Sequence, residues 1–296
     1  MEVLVAGATG QLGRRVVSEL RARGHRVRAL GRDRAALAAV GADAAVVADA
    51  LRAETLDAAV AGVDAVVSAL GQSVAPRPLP ARAPYRAVDL PANANLIAAA
   101  RRAEVERFVY VSLFGAGAHR RLDYVDAHEG VVAALRASGL RHTVVRPTAF
   151  FGTLAELLPA ARRGVAIVFG DGRARTNPID EADLAAVCAE ALEGDAVEVA
   201  AGGPWTYTRA EIGALALRAV GRRGRVLRLP FWVGDLIAAS ARPFDRRLAA
   251  LLAFGVDVMR RDLVAPVRGV RSLEEYLPAR AGALGRDVSS DHTEAG

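Results

Sequence analysis

The sequence predicts an α/β fold, a doubly wound parallel sheet with helices on both faces, and three observations predict it. Short apolar runs of strand character alternate with longer stretches of helical periodicity over the first two hundred residues, and such alternation specifies a parallel sheet. The first apolar run, Val3-Leu4-Val5-Ala6, passes through a glycine-punctuated turn straight into a helical pattern, Gly7-Ala8-Thr9-Gly10-Gln11-Leu12-Gly13-Arg14-Arg15-Val16-Val17. The chain has 296 residues, 52% of them apolar, enough to bury a large core as one domain with an added lobe.

Residues 2–6 form the first expected strand, since an unbroken apolar run ends at the turn, and residues 11–23 the first helix. Further strands are expected at 25–30, 44–48, 65–68, 107–112, 143–146 and 197–201. Helices are expected between them at 54–61, 85–103, 124–138 and 180–192. In such sheets ligands sit at the carboxyl ends of the strands, so function is sought in the loops there. After Pro147 the regularity breaks. Thr208-Arg209-Ala210-Glu211 is a capping box that opens another helix, and aromatic, Arg-rich segments follow to about residue 276. We expect one domain over 1–284, with a lobe built mainly from 148–178 and 203–280 covering the strand ends. Residues 285–296 lack apolar periodicity and are expected to be a disordered tail.

The net charge is +6, but the arginines are read as scattered over every element, so no nucleic-acid partner is expected. All 39 basic residues are arginine; the chain has no lysine. The single cysteine, Cys188, excludes an internal disulfide and fits a reducing compartment. No run approaches the roughly 18 apolar residues of a membrane span, and the N-terminus opens on a strand with no cleavable leader. A cytoplasmic protein without a membrane or metal partner is expected, as a monomer or homodimer acting on a small molecule.

The first turn suits a dinucleotide pyrophosphate. Gly7 and Gly10 let the turn be tight and the backbone approach the phosphates, and Gly13 lets the helix lie against the strand. Thr9, Gln11 and Leu12 complete this loop, and the free N–H groups of the helix face the anion. The spacing is G-x-x-G-x-x-G, a variant of the Rossmann fingerprint.

These residues resemble a family. Together with Phe108-Val109-Tyr110-Val111-Ser112, the run Ser138 to Pro147 and Val264-Ala265-Pro266-Val267-Arg268-Gly269, the glycine motif is similar to those of atypical short-chain dehydrogenases/reductases of the NmrA-like group, over about residues 1–280. The resemblance implies a Rossmann-type sheet and dinucleotide binding. It spans both working reductases and redox-sensing proteins that bind the cofactor without turnover. It also implies that Asp49 and Leu51 lie against the adenine, that Ala69, Leu70 and Gly71 let the backbone pass the ribose and nicotinamide, and that Pro147 lies near the carboxamide. Asp49 reads equally as a loop or capping residue.

Cofactor choice rests on the end of the second strand. Leu30 and Gly31 carry no acid there and Arg32 follows at once, so NADP(H) is favoured over NAD(H), because arginine binds a 2′-phosphate where a carboxylate binds the ribose hydroxyls. Asp33, in a shifted register, remains an alternative ribose ligand.

The catalytic question turns on Ser112, Tyr124 and His128. Dehydrogenases of this class resemble one another in a serine beyond the fifth strand and a Tyr-x-x-x-Lys on the next helix. Positions 124 and 128 share a helical face, but position 128 is histidine and no lysine exists to replace it. A cation about 4 Å away is worth roughly 4 kcal/mol at an effective dielectric near 20, about three pKa units. Without it the phenol stays a proton donor and a poor base, which favours reduction of a polarised C=O or C=C. Protonation of His128 near pH 6.5 is expected to restore part of the effect. The plainer alternative leaves Tyr124 and His128 as ordinary helix residues. Phe114, Phe150 and Phe151 are expected to wall a substrate pocket, or else to pack the core; Trp205, Phe231 and Trp232 are weaker candidates. The Pro-rich connection 72–84, with Arg77 and Arg82, reads as a lid or binding loop, and His119, Arg120 and Arg121 as a basic surface loop.

The expectation is an NADP(H)-dependent reductase of a small apolar carbonyl, enone or quinone. The rivals are a non-catalytic NADP(H) sensor and a dinucleotide-dependent isomerase or epimerase.

Overall fold

The computed structural model describes residues 1–72, 83–118 and 122–290. Most of the Pro-rich connection, with Arg77 and Arg82, the cluster His119 to Arg121 and residues 291–296 lie outside the described residues. The chain runs β1 (Glu2–Ala6), α1 (Gln11–Ala22), β2 (Arg26–Gly31), α2 (Arg34–Ala38), β3 (Ala44–Val47), α3 (Asp57–Val60), β4 (Ala65–Ser68), α4 (Tyr85–Arg102), β5 (Arg107–Val111), α5 (Asp123–Ala137) and β6 (His142–Pro147). It continues through α6 (Phe151–Ala155), α7 (Leu158–Arg162), β7 (Val165–Phe169), β8 (Arg175–Thr176), α8 (Glu181–Glu193), β9 (Glu198–Ala201), β10 (Tyr207–Thr208) and α9 (Arg209–Ala219). It ends in β11 (Arg225–Leu229), α10 (Phe231–Ala241), α11 (Arg246–Asp257) and α12 (Leu273–Ser290).

Seven strands form one sheet in the order β3-β2-β1-β4-β5-β6-β9, and every pairing in it is parallel. Alternating side chains feed two cores. Val3, Val5, Val67 and Val109 pack with Val16, Leu20, Leu184 and Cys188 of α1 and α8. On the other face Leu4, Val66, Phe108 and Tyr110 pack with Leu96, Ala100, Val131 and Leu135 of α4 and α5. Strand order reverses between β1 and β4, which opens the ligand crevice of such sheets.

A further core joins Phe151, Leu158, Ala166, Ile212, Leu215 and Leu277, so both segments expected in the lobe contribute to one cluster. Two small sheets, β7 with β11 and β8 with β10, complete it. Asn177, after β8, and Asp183, on α8, hold the strap after α11. The Asn177 amide donates to the Gly203 and Ala265 carbonyls and accepts the Ala265 N–H. Asp183 accepts the Val270 and Arg271 N–H groups and pairs with the Arg271 guanidinium. Thr208 and Glu211 make the expected capping box.

Two local expectations need correction, and one short helix was not foreseen. The helix expected at 54–61 is a 3-10 turn, Ala53–Thr55, and the short α3. The short α2 follows β2 directly, because the Asp33 carboxylate caps it by accepting from Ala35 and Ala36 at 2.8 and 3.2 Å. Helix α12 runs to Ser290, into the segment expected to be a tail.

Candidate active site

The site begins at the turn after β1. Gly7 has φ +80° and a Cβ there would come within 2.7 Å of the Ala69 carbonyl oxygen, so β1 and β4 close together only through a residue without a side chain. A Cβ on Gly13 would overlap the Gly7 carbonyl oxygen, and Gly10 donates its N–H to that oxygen at 3.0 Å. Gly10 is the N-cap of α1, no side chain caps that end, and its first turn carries no acid. The N–H groups of Gln11, Leu12 and Gly13 have no earlier helical carbonyl to bond and carry the helix's positive end. This backbone cradle fits a pyrophosphate. Thr9 flanks it, its carbonyl accepting from the Arg14 side chain at 3.1 Å.

At the end of β2, Arg32 is exposed and makes no hydrogen bond or ion pair among the described residues. Asp33 is engaged in the α2 cap, which leaves the Arg32 guanidinium uncommitted at the end of β2. Beyond β3, Asp49 accepts the Leu51 N–H at 3.1 Å and Leu51 is exposed; the turn thus presents an apolar side chain at the outer end of the crevice.

The loop after β4 is held from α4. Ser68 donates to the Asn93 side-chain oxygen at 2.6 Å, and the Asn93 amide donates to the carbonyls of Leu70 and Asp89 at 3.3 and 2.8 Å. Asp89 accepts the Gln72 N–H at 2.9 Å. The stretch Ala69, Leu70 and Gly71 is therefore fixed against the glycine turn. Asp89 is 3% exposed with Oδ2 unpartnered among the described residues. Burial, and then Asp123, push its carboxyl up to about 7 against the opposing Gln72 N–H and Arg247. Asn93 and Asp89 were missed in the sequence because single polar residues in an apolar helix read as surface positions.

Tyr124 and His128 share a face of α5, ring centroids 4.7 Å apart. Tyr85 of α4 stands edge-on to Tyr124 at 5.0 Å, and Phe254 of α11 covers it at 4.7 Å. Burial, followed by Asp89 and Tyr85, raises the Tyr124 phenol well above its ordinary range, and no cation opposes this. His128 corrects an expectation. It is buried, its Nδ1 lies 2.7 Å from the Tyr110 hydroxyl, and burial, then Arg146, lowers its pKa to about 4. It stays neutral at pH 6.5 and cannot stand in for an ammonium group.

Ser112 follows β5, buried, its N–H donated to the Val145 carbonyl at 2.8 Å. Its hydroxyl accepts from Arg146 at 3.3 Å. Arg146 is itself held by Glu129 at 2.6 Å and Glu198 at 2.9 Å, a network unseen in the sequence because these three residues lie on three elements. Phe114 donates its N–H to the Pro147 carbonyl at 2.8 Å, which locks the loops after β5 and β6 together, and is half-buried. Phe150 is half-buried beside the α1 and α8 core. Phe151 is not a pocket wall: it is fully buried in the lobe, its ring 5.3 Å from that of Tyr276. Starting α6 at residue 151 turns the two phenylalanines apart. Phe231 packs under the Arg260 guanidinium, 4.4 Å from its ring centroid, and Trp205 and Trp232 are exposed.

A family model described as NAD(P)H-binding matches residues 7–195. The chain belongs to this NAD(P)H-binding family. It is 34% identical over 253 residues to a chloroplastic divinyl chlorophyllide a 8-vinyl-reductase of Oryza sativa subsp. indica, covering 79% of this chain and 62% of the rice protein. The chain thus spans about three fifths of that plant relative's length. It is 30% identical over 300 residues to the (4-alkanoyl-5-oxo-2,5-dihydrofuran-3-yl)methyl phosphate reductase of Streptomyces griseus, covering 99% of this chain and 98% of that protein. The fold is shared with the NADPH-dependent quinone oxidoreductase of Escherichia coli in complex with NADPH, at TM-score 0.72 and 22% identity over 93% of this chain and 98% of the other. A triphenylmethane reductase of Citrobacter sp. with NADP(H) has TM-score 0.72 at 19% identity over 94% and 99% of the two chains. The resemblance to atypical short-chain dehydrogenases/reductases is thereby upheld, the parallel seven-stranded sheet with it. Among the described residues no helix is long and apolar enough to cross a membrane.

Proposed function

We propose that this chain is an NADP(H)-dependent reductase of a small apolar acceptor, an enone, a quinone or a related electron-poor C=C or C=O compound. The observation that carries this reading is the burial of Tyr124 among the rings of Tyr85, His128 and Phe254, none of which is a cation. With nothing to lower its pKa, the phenol remains protonated at working pH and is a donor only. Alcohol oxidation and epimerisation both need a base, and reduction does not. Bound NADPH would supply hydride. The cradle of Gly7, Gly10 and Gly13 would hold its pyrophosphate and Arg32 its 2′-phosphate.

Ser112, its hydroxyl oxygen already accepting from Arg146, keeps its own proton to donate to an acceptor oxygen. Tyr124 would deliver the proton that completes the reduction. The names of two relatives, a vinyl reductase and a dihydrofuran phosphate reductase, favour a conjugated C=C within this class. The test is NADPH oxidation, followed at 1:1 stoichiometry, over quinones, enones and ketones. At least one acceptor should be reduced, and Tyr124→Phe should lower its turnover about 10²-fold. No turnover across the panel with NADPH bound would turn the reading towards a cofactor sensor.

A further inference from the structure

We propose that the lobe docks through α10 on an anionic membrane surface, so that the protein lies on a bilayer without spanning it. The first observation is a helix whose polarity is inverted. Gly234 and Ala238 face inward, where a Cβ on Gly234 would meet Val256 and Phe169. Outward stand Trp232, 66% exposed, Leu236, 60%, and Ile237, 44%. Phe244, just beyond the helix, is 88% exposed. The small sheet extends this face. Ala166 and Val226 pack inward on Gly213 of α9, so by alternation Ile167 and Leu227, register partners, point to the other side, and both are exposed. An apolar surface of this extent has a partner.

The second observation is charge. Residues 222–261 hold nine arginines and three aspartates, a net of +6, and the remaining 256 residues are balanced at thirty arginines and thirty acids. The whole excess of the chain sits on the segment that exposes the apolar face. Arg225, on the same side of β11 as Leu227, and Arg242 and Arg246 are exposed and have no ion-pair partner among the described residues. The acids there are committed: Asp235 pairs with Arg260 at 2.6 Å, Asp245 caps α11, and Asp257 lies 3.8 Å from Arg260 and from Arg261. Exposed aromatic and aliphatic side chains on a segment that also carries unpaired guanidinium groups, its own acids committed, complement the boundary between acidic headgroups and acyl chains. A second copy of this chain would set like charges against one another. The proposal goes beyond the reductase reading and does not rest on it.

The experiment is co-sedimentation of the full chain with vesicles of phosphatidylcholine and phosphatidylglycerol, against phosphatidylcholine alone. Binding to the anionic vesicles is expected, falling with added salt. In a Trp205→Phe background the Trp232 emission should shift to the blue on binding. Arg242→Gln and Arg246→Gln should each weaken partition about fivefold, and Leu236→Ser about tenfold; these positions are exposed, and unchanged thermal melts would show that the variants fold. The proposal is overturned if the anionic vesicles are not bound, or if all variants bind as the parent does. It is equally overturned if light scattering shows a dimer that Leu236→Ser with Phe244→Ser splits, since a second copy then owns the face.

Discussion

The Tyr110 hydroxyl meets Nδ1 of His128 at 2.7 Å inside the protein. This pairing joins β5 to α5 under the aromatic cluster, and it requires a neutral imidazole, since the ring has no carboxylate beside it and burial and Arg146 both oppose its charge.

Stability should therefore depend on pH through His128. The folded ring titrates near 4 and an unfolded one near 6.5, so the unfolded chain binds more protons between those values. The contribution is complete above about pH 6.5 and is lost as the pH falls towards 4, on the order of 3 kcal/mol in all. Urea melts of the parent and of His128→Phe across this window check it: the parent should lose stability on acidification more steeply than the variant. His128→Lys should destabilise by about 3 kcal/mol or more, because it buries an unpaired ammonium.

Asp89 carries the opposite sign. Its folded carboxyl titrates near 7 against about 3.9 unfolded, so its contribution is present below about pH 4 and is lost as the pH rises through 7. Asp89→Asn keeps an acceptor for the Gln72 N–H and removes the buried charge. It should stabilise the protein by about 1 to 3 kcal/mol at pH 8 and have little effect at pH 4, as read from melting curves at the two pH values. A destabilisation at pH 8 would show that the charge is used in the folded state.

The glycine turn gives a steric prediction. A methyl on Gly13 meets the Gly7 carbonyl and the Ala8 backbone, neither of which can move without parting α1 from β1. Gly13→Ala should lower dinucleotide affinity more than tenfold by calorimetry, at a cost of about 1 to 3 kcal/mol in stability from overpacking.

The fold and the glycine turn were legible because backbone demands write themselves into sequence: glycines where a Cβ cannot fit, and alternating strand and helix periods. What sequence hid was the partner of each polar group. His128 is neutral because the β5 and α5 packing buries it, its ring against the hydroxyl of Tyr110, eighteen residues earlier. Ser112 is held by an arginine on the next strand. Phe150 and Phe151 part company at the start of α6, a helix the sequence reading did not foresee because the regularity breaks after Pro147. The clustering of charge over 222–261 was present in the sequence, but arginines assigned element by element appeared evenly spread.

NADPH is the dinucleotide we propose for this chain, read by Arg32 while Asp33 is committed to the α2 cap. Calorimetric titration of NADPH and NADH against the parent and Arg32→Ala tests it most directly. NADPH should bind the parent more tightly than NADH, and the substitution should cost about 1.5 to 3 kcal/mol for NADPH with NADH almost unchanged. Equal affinity of the parent for both dinucleotides would contradict the account and make Asp33 the ribose ligand.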